Sequence, residues 1–151
     1  MLRVFILSLC LAPFVASAAH AQDALLQMNA DEFQHYITET NPGIVVLLPT
    51  ASWCSICRGL ESDYVKAAED LKADSITVVR MDYDQNREFM QSLGIQQLPQ
   101  TEIYVHGVRR WEYKGGMHEL RLVYEAKQAQ KAVADGSFQI EPYKTLLKPV
   151  Q

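Results

Sequence analysis

Six consecutive residues, Gly43-Ile44-Val45-Val46-Leu47-Leu48, carry no polar side chain. A strand with one wet face alternates apolar and polar residues. An unbroken apolar run is expected where both faces are covered, as in the middle of a sheet flanked by helices. Pro49 is expected to end this strand and Thr50-Ala51-Ser52 to form a loop. Trp53-Cys54-Ser55-Ile56-Cys57-Arg58 then opens a stretch with helical periodicity. Two thiols at that spacing can face each other across the first turn of a helix. The first also lies where unpaired backbone N–H groups and the helix dipole favour a thiolate. The chain is organised around a dithiol at a strand–helix junction, which is a redox arrangement.

The remaining segments build a sheet around that strand. Ala24-Leu25-Leu26 reads as a short first strand, and Asn29 with Glu32 has the form of a capping box. The helix that follows places Phe33, Tyr36 and Ile37 on one face and is broken by Asn41-Pro42-Gly43. A single helix is expected from Cys54 to about Ala73, because Leu60, Tyr64, Ala67, Ala68 and Leu71 recur at helical spacing. Ser75 to Asp82 is rich in β-branched residues and reads as a second central strand. Asn86 to Leu93 reads as a short helix closed by Gly94. Thr101 to Val105 and Val108 to Lys114 form a hairpin about His106-Gly107, and a last helix runs from Met117 to about Ala134. The order βαβαβαββα, with right-handed crossovers between parallel strands, predicts an α/β fold with a mixed central β-sheet flanked by helices.

The amino terminus reads as a cleavable signal peptide over residues 1–21. Arg3 precedes an apolar stretch from Val4 to Val15, and Ala19-His20-Ala21 supplies the small-residue site. A membrane anchor is the competing reading, but the run is shorter than the ~20 residues a span needs. Cleavage after Ala21 removes one of 14 cations and none of 18 acidic residues, leaving 13 against 18, a net charge of −5. No basic stripe remains, which argues against nucleic-acid binding. Cleavage also removes Cys10, so Cys54 and Cys57 become the mature protein's only thiols. A structural disulfide would usually close a longer loop, since short loops constrain the unfolded chain least. Residues 22–134 are read as one domain and 135–151 as a tail, in which Phe138 and Tyr143 are candidates to dock on the domain.

A Cys-x-x-Cys alone could also be half a zinc site. Three further features accompany this one: the acidic turn Asp82-Tyr83-Asp84-Gln85-Asn86, the stretch Gly94-Ile95-Gln96-Gln97-Leu98-Pro99-Gln100-Thr101, and Gly115-Gly116 before the last helix. Together with Trp-Cys-x-x-Cys after the core strand, they resemble the thioredoxin family from roughly Leu25 to Val133. The resemblance implies a thioredoxin fold with a cis Leu98-Pro99 peptide packed against the cysteines. It also implies that Cys54 attacks a substrate disulfide, that Cys57 resolves the mixed disulfide, and that Leu98 and Pro99 bind substrate together with Trp53, which could instead simply cover the site. Leu98, before the proline, is closer to the Ile of thioredoxins than to the Thr or Val of oxidants. Ser55-Ile56 lacks the His that strong oxidants carry, which points to disulfide reduction or isomerisation rather than oxidation. Two departures stand out: Leu48 occupies the place of the family's buried aspartate, and Arg80 stands where its partner lysine is expected. Proton removal from Cys57 is then left to water, Arg80 or another acid such as Glu61.

The function expected is an exported, periplasmic thiol–disulfide oxidoreductase. It needs no cofactor or metal, acts on exported disulfide-containing proteins, is recharged by a membrane-bound electron donor, and works as a monomer. No Lys-Asp-Glu-Leu-type signal closes the sequence, so a eukaryotic secretory lumen is the less favoured compartment. A dithiol oxidant, a thioredoxin-fold binding or chaperone module, and a handler of copper(I) or zinc through two soft ligands remain as alternatives. His106 is expected to be solvated in its turn and His118 to begin a helix. Arg109-Arg110 reads as an exposed strand end, with an acidic partner as the sharper alternative. Tyr104, Trp111 and Tyr113 are accounted for by packing along the hairpin.

Overall fold

The computed structural model describes residues 24–40, 43–136 and 148–149. The signal peptide and the tail aromatics Phe138 and Tyr143 lie outside the described residues. Strands β1 (Leu25–Gln27), β2 (Ile44–Thr50), β3 (Ile76–Asp82), β4 (Gln100–Val105), β5 (Val108–Lys114) and β6 (Lys148–Pro149) form one sheet in the order β1-β3-β2-β4-β5-β6. β1, β3 and β2 run parallel, while β4, β5 and β6 pair antiparallel. The apolar run is thus the central strand it was expected to be, buried from Ile44 through Pro49.

Alternation along β2 divides the core. Val45 and Leu47 face a layer with Phe33, Met81, Met90, Ile95 and Tyr104, against helices α1 (Ala30–Glu39) and α4 (Arg87–Ser92). Ile44, Val46 and Leu48 face Leu60, Tyr64, Leu71, Trp111 and Leu122, against α3 (Glu61–Lys72) and α5 (Glu119–Ala134). Full burial of each large aliphatic side chain contributes roughly 1.5–3 kcal/mol, so the two layers are the main source of stability. At the start of α1 the capping box forms as the sequence suggests: Asn29 Oδ1 accepts from Glu32 N–H, and Glu32 Oε2 accepts from Asn29 N–H. In the β4–β5 turn His106 and Gly107 both have positive φ, 47° and 75°, which matches the twist of the flanking strands. A Cβ on Gly107 would lie 2.7 Å from the Ile37 carbonyl oxygen, so only glycine fits there.

Several boundaries differ from the sequence reading. Pro49 lies inside β2, opposite Met81, instead of ending it. Pairing with β4 stops at Leu47↔Glu102, so beyond that point β2 has a neighbour on one side only, where a strand proline is tolerated. The helix expected from Cys54 to Ala73 is two, α2 (Ser55–Gly59) and α3, meeting at Leu60. Gly59 is a weak helix former, and the Leu60 N–H is shared between the Ile56 and Cys57 carbonyls. Met117 is buried just before α5, which His118 caps with its backbone. Tail residues Lys148 and Pro149 add β6 to the edge of β5.

Arg109 is not an exposed strand end. It donates to the Leu93 carbonyl at 2.5 Å and lies 3.6 Å from Glu102, the acidic partner of the sharper alternative. Tyr104 packs edge-on against Phe33 of α1, with ring centroids 5.1 Å apart, whereas Trp111 joins the opposite layer.

Candidate active site

The site forms where β2 runs out. The Thr50 carbonyl accepts from Tyr83 N–H at 2.7 Å, tying the strand end to the acidic turn after β3. The loop closes with Cys54 N–H on the Ala51 carbonyl, and Cys54 becomes the N-cap of α2. Its Sγ accepts the Cys57 N–H at 3.1 Å, the backbone donor that would stabilise a thiolate there. The two cysteines are joined: S–S is 2.02 Å and the Cα atoms are 5.2 Å apart. Ala51, Tyr83 and Leu98 pack around the pair. Both cysteines are buried, Cys54 (6 % exposed) slightly less than Cys57 (2 %).

The Leu98-Pro99 peptide is cis, as the resemblance implied. The Pro99 carbonyl accepts from Gly115 N–H at 3.0 Å, joining the proline loop to the segment before α5. A Cβ on Gly116 would meet Leu60 Cδ1 at 2.4 Å and Pro99 Cγ at 3.3 Å, so this glycine lets three elements close together beside the thiols. Trp53 and Ile56 flank Cys54 and are 59 % and 60 % exposed, unusual for large apolar side chains. Trp53 is nonetheless held: its Nε1 donates to Asp84 Oδ2 at 2.8 Å, and its ring meets Tyr83 edge-on at 6.2 Å. Asp84 is held in turn by Arg87 at 2.7 Å. Leu98 thus packs on the cysteine pair, Trp53 precedes Cys54 and is held to the acidic turn, and Pro99 lies beside Gly116. Ile56, Gly116, Tyr83 and Asp84 join them with roles the sequence reading did not assign. The acidic turn was visible in the sequence, but its tie to the Trp53 indole needed the fold.

On β2, Leu48 is fully buried and aligned with Arg80 on β3. Arg80 forms an ion pair with Glu61 of α3 and donates to Gln27 Oε1 at 2.9 Å. These groups line an open cleft of about 270 Å³ that reaches Cys57. Arg58, next to Cys57, donates to the Ser52 carbonyl, so this cation braces the loop. Among the described residues, no group of three His, Cys, Asp or Glu side chains is placed to hold a metal ion.

The sequence reading also passed over Glu102. It lies on β4, fully buried, with Gln100 Nε2 donating to its Oε1 at 2.6 Å. Burial pushes its carboxyl up to about 7, against the opposing pull of the Gln100 hydrogen bond and Arg109. On α3, burial raises the Tyr64 hydroxyl to about 12, helped by Glu61 and Asp63, which keeps it neutral beside the core.

The arrangement is chemically a dithiol–disulfide couple of the kind that exchanges with other disulfides. The thioredoxin family model matches residues 24–128. The protein disulfide-isomerase of Aspergillus niger is 28% identical over 148 residues, covering 97% of this chain and 28% of that protein. The rice protein disulfide isomerase-like 2-3 is 30% identical over 119 residues, covering 79% and 26%. The chain thus spans about a quarter of the length of these relatives. Spinach chloroplast thioredoxin f superposes with a TM-score of 0.62 at 22% identity, over 70% of this chain and 93% of that one. The first thioredoxin domain of mouse protein disulfide-isomerase A4 does so with 0.62 at 20%, over 70% and 75%. A matched segment that holds the cysteine pair, the cis-proline and the surrounding sheet assigns the chain to the thioredoxin family.

Proposed function

We propose that residues 22–134 form an exported thiol–disulfide oxidoreductase domain, released from a signal peptide at 1–21 and followed by a tail at 135–151. It reduces or isomerises disulfides of exported proteins. The observation that carries this reading is the Cys54–Cys57 disulfide at the first turn of a helix, near a cis Leu98-Pro99 peptide and the exposed Trp53 and Ile56. The Cys54 thiolate attacks a substrate disulfide, forming a mixed disulfide and releasing one substrate thiolate. Cys57 then attacks Cys54 Sγ, restoring the internal disulfide and releasing the second. Trp53, Leu98 and Pro99 receive the substrate segment, its apolar side chains covering Trp53 and Ile56. Ser55 and Ile56 carry no charge to hold the Cys54 thiolate, which supports the reducing or isomerising direction over an oxidant. The names of the disulfide-isomerase relatives support the same class of chemistry. In a periplasm a monomer of this kind would be returned to its dithiol form by a membrane-bound electron donor.

The apolar rim would equally suit a module that only holds unfolded chains. Reduction of a protein disulfide by wild type and Cys54→Ser separates the two. An oxidoreductase loses turnover in the variant, whereas a binding module retains its capture of unfolded substrate and has no turnover to lose.

A further inference from the structure

The exchange proposed above requires Cys57 to lose its proton, and Leu48, which holds the position of the thioredoxin family's buried acid, cannot take it. Leu48 has no titratable group and is sealed from solvent. Three observations place the missing function beside it. First, the cleft of about 270 Å³ reaches Cys57 between the loop after β2 and the start of α3, with Thr50, Arg58, Glu61, Arg80 and Asp82 among its walls. A water takes up about 30 Å³ in the liquid, so the cleft has room for a short chain of waters. Second, Glu61 is the first residue of α3, four residues beyond Cys57, and lines the same cleft. Third, its carboxylate is held by the Arg80 guanidinium, whose other end is fixed by Gln27. Arg80 is aligned with Leu48 across β2 and β3, so the ion pair flanks the position where a buried acid is absent.

We propose that Glu61, positioned by Arg80, takes the Cys57 proton through water in this cleft and passes it to solvent. The inference rests on the thiol–disulfide exchange reading. In the step concerned, the Cys57 S–H bond breaks and its proton moves through water to the Glu61 carboxylate. The thiolate attacks Cys54 Sγ, the Cys54–Cys57 bond forms, and the bond from Cys54 to the substrate sulfur breaks. The departing thiolate carries the electron pair and is protonated from solvent. Two electrons have then passed from the protein dithiol to the substrate disulfide. Asp82 shares the cleft, but its Oδ1 accepts the Gln85 N–H at 2.8 Å, which fixes it in the turn after β3. Arg80 also favours the charged sulfur electrostatically, so its part is to hold Glu61 and moderate the field at Cys57.

The test uses the reduced mature chain and an aromatic disulfide that releases a coloured thiolate twice, once when Cys54 attacks and once when Cys57 resolves. Glu61→Gln should leave the first release unchanged and slow the second about tenfold at pH 7, a modest share of what a directly bonded base supplies. The deficit should vanish by pH 9, where solvent alone removes the proton, and Glu61→Asp should recover part of the rate at pH 7. Glu69→Gln, which alters an exposed acid of α3, should behave as wild type. Equal second-phase rates at pH 7, a faster second phase in Glu61→Gln, or a deficit of the same size at every pH would each overturn the proposal. A wild-type chain that shows no first release would instead overturn the exchange reading.

Discussion

Leu48 and Glu102 stand on neighbouring central strands, and each holds the residue type expected of a different place. At position 48, where the family's proton transfer would use an acid, β2 presents a sealed leucine. On the opposite face, where the core would be apolar, β4 presents a sealed glutamate that pairs in register with Leu47. The leucine is sealed from solvent and carries no titratable group, which leaves the proton to the Arg80–Glu61 cleft. The glutamate is tolerated because Gln100 and Arg109 partner it and because it can remain protonated near neutral pH. The contrast shows that a buried carboxyl in this sheet is sustained where polar partners from the hairpin surround it and its neutral form is favoured. Chemistry at the thiols draws instead on a charge pair at the solvent edge.

Placing an acid at position 48 is the strongest way to break this contrast. Leu48→Asp buries a carboxylate among Val46, Leu60 and Tyr64. It should cost about 3–5 kcal/mol of unfolding free energy, read by denaturant titration of the oxidised protein. The surviving folded fraction should resolve its mixed disulfide independently of Glu61, so adding Glu61→Gln to it should change little.

The opposite acid sets a pH dependence of stability. The carboxyl of Glu102 sits at about 7 in the folded chain, above its ordinary value of 4.5. An acid raised by folding contributes fully below its unfolded value, and that contribution is lost as pH rises through the folded one. Between about pH 4.5 and 7 the unfolded state therefore gains from ionisation that the folded state resists. The loss amounts to at most about 3 kcal/mol. Glu102→Gln keeps the shape and removes the ionisation, so the stability difference between pH 5 and pH 8 should shrink by about that amount in paired denaturant titrations.

The smallest effect belongs at the rim. Asp84→Ala removes the carboxylate that accepts from the Trp53 indole N–H, yet Trp53 is already more than half exposed. Stability should fall by about 1 kcal/mol or less. Trp53 mobility should rise in fluorescence anisotropy, and KM for a protein disulfide should rise more than kcat falls.

The features that the sequence revealed are local in their physics. An unbroken apolar run has one reading in an α/β chain, and β2 follows it. The Asn29–Glu32 box and the His106-Gly107 turn depend on residues close in sequence, and both form as expected. Glu102 was hidden because Thr101 to Val105 alternates like a strand with one wet face, while β4 actually lies between two strands and under helices on both sides. A signal was present in the cation at Arg109, which reaches Glu102 across the hairpin. It gains meaning only once β5 is paired and Leu93 comes near. The break at Leu60 was hidden for a related reason. Leu60 and Tyr64 keep their apolar spacing through it, so periodicity continues where the hydrogen-bond ladder changes. At the thiols, the cysteines and Pro99 were legible as residue types. The rim of Ile56, Gly116 and Asp84 depends on contacts between distant segments.

The direction of exchange is the claim on which the functional account turns. Equilibrating the mature chain in a series of glutathione or dithiothreitol buffers, and quantifying the Cys54–Cys57 disulfide by thiol alkylation, gives its reduction potential directly. The absence of a charged residue between the cysteines predicts a value between about −270 and −180 mV, the span from thioredoxin to disulfide isomerase. A value near −120 mV, where dedicated dithiol oxidants lie, would contradict it.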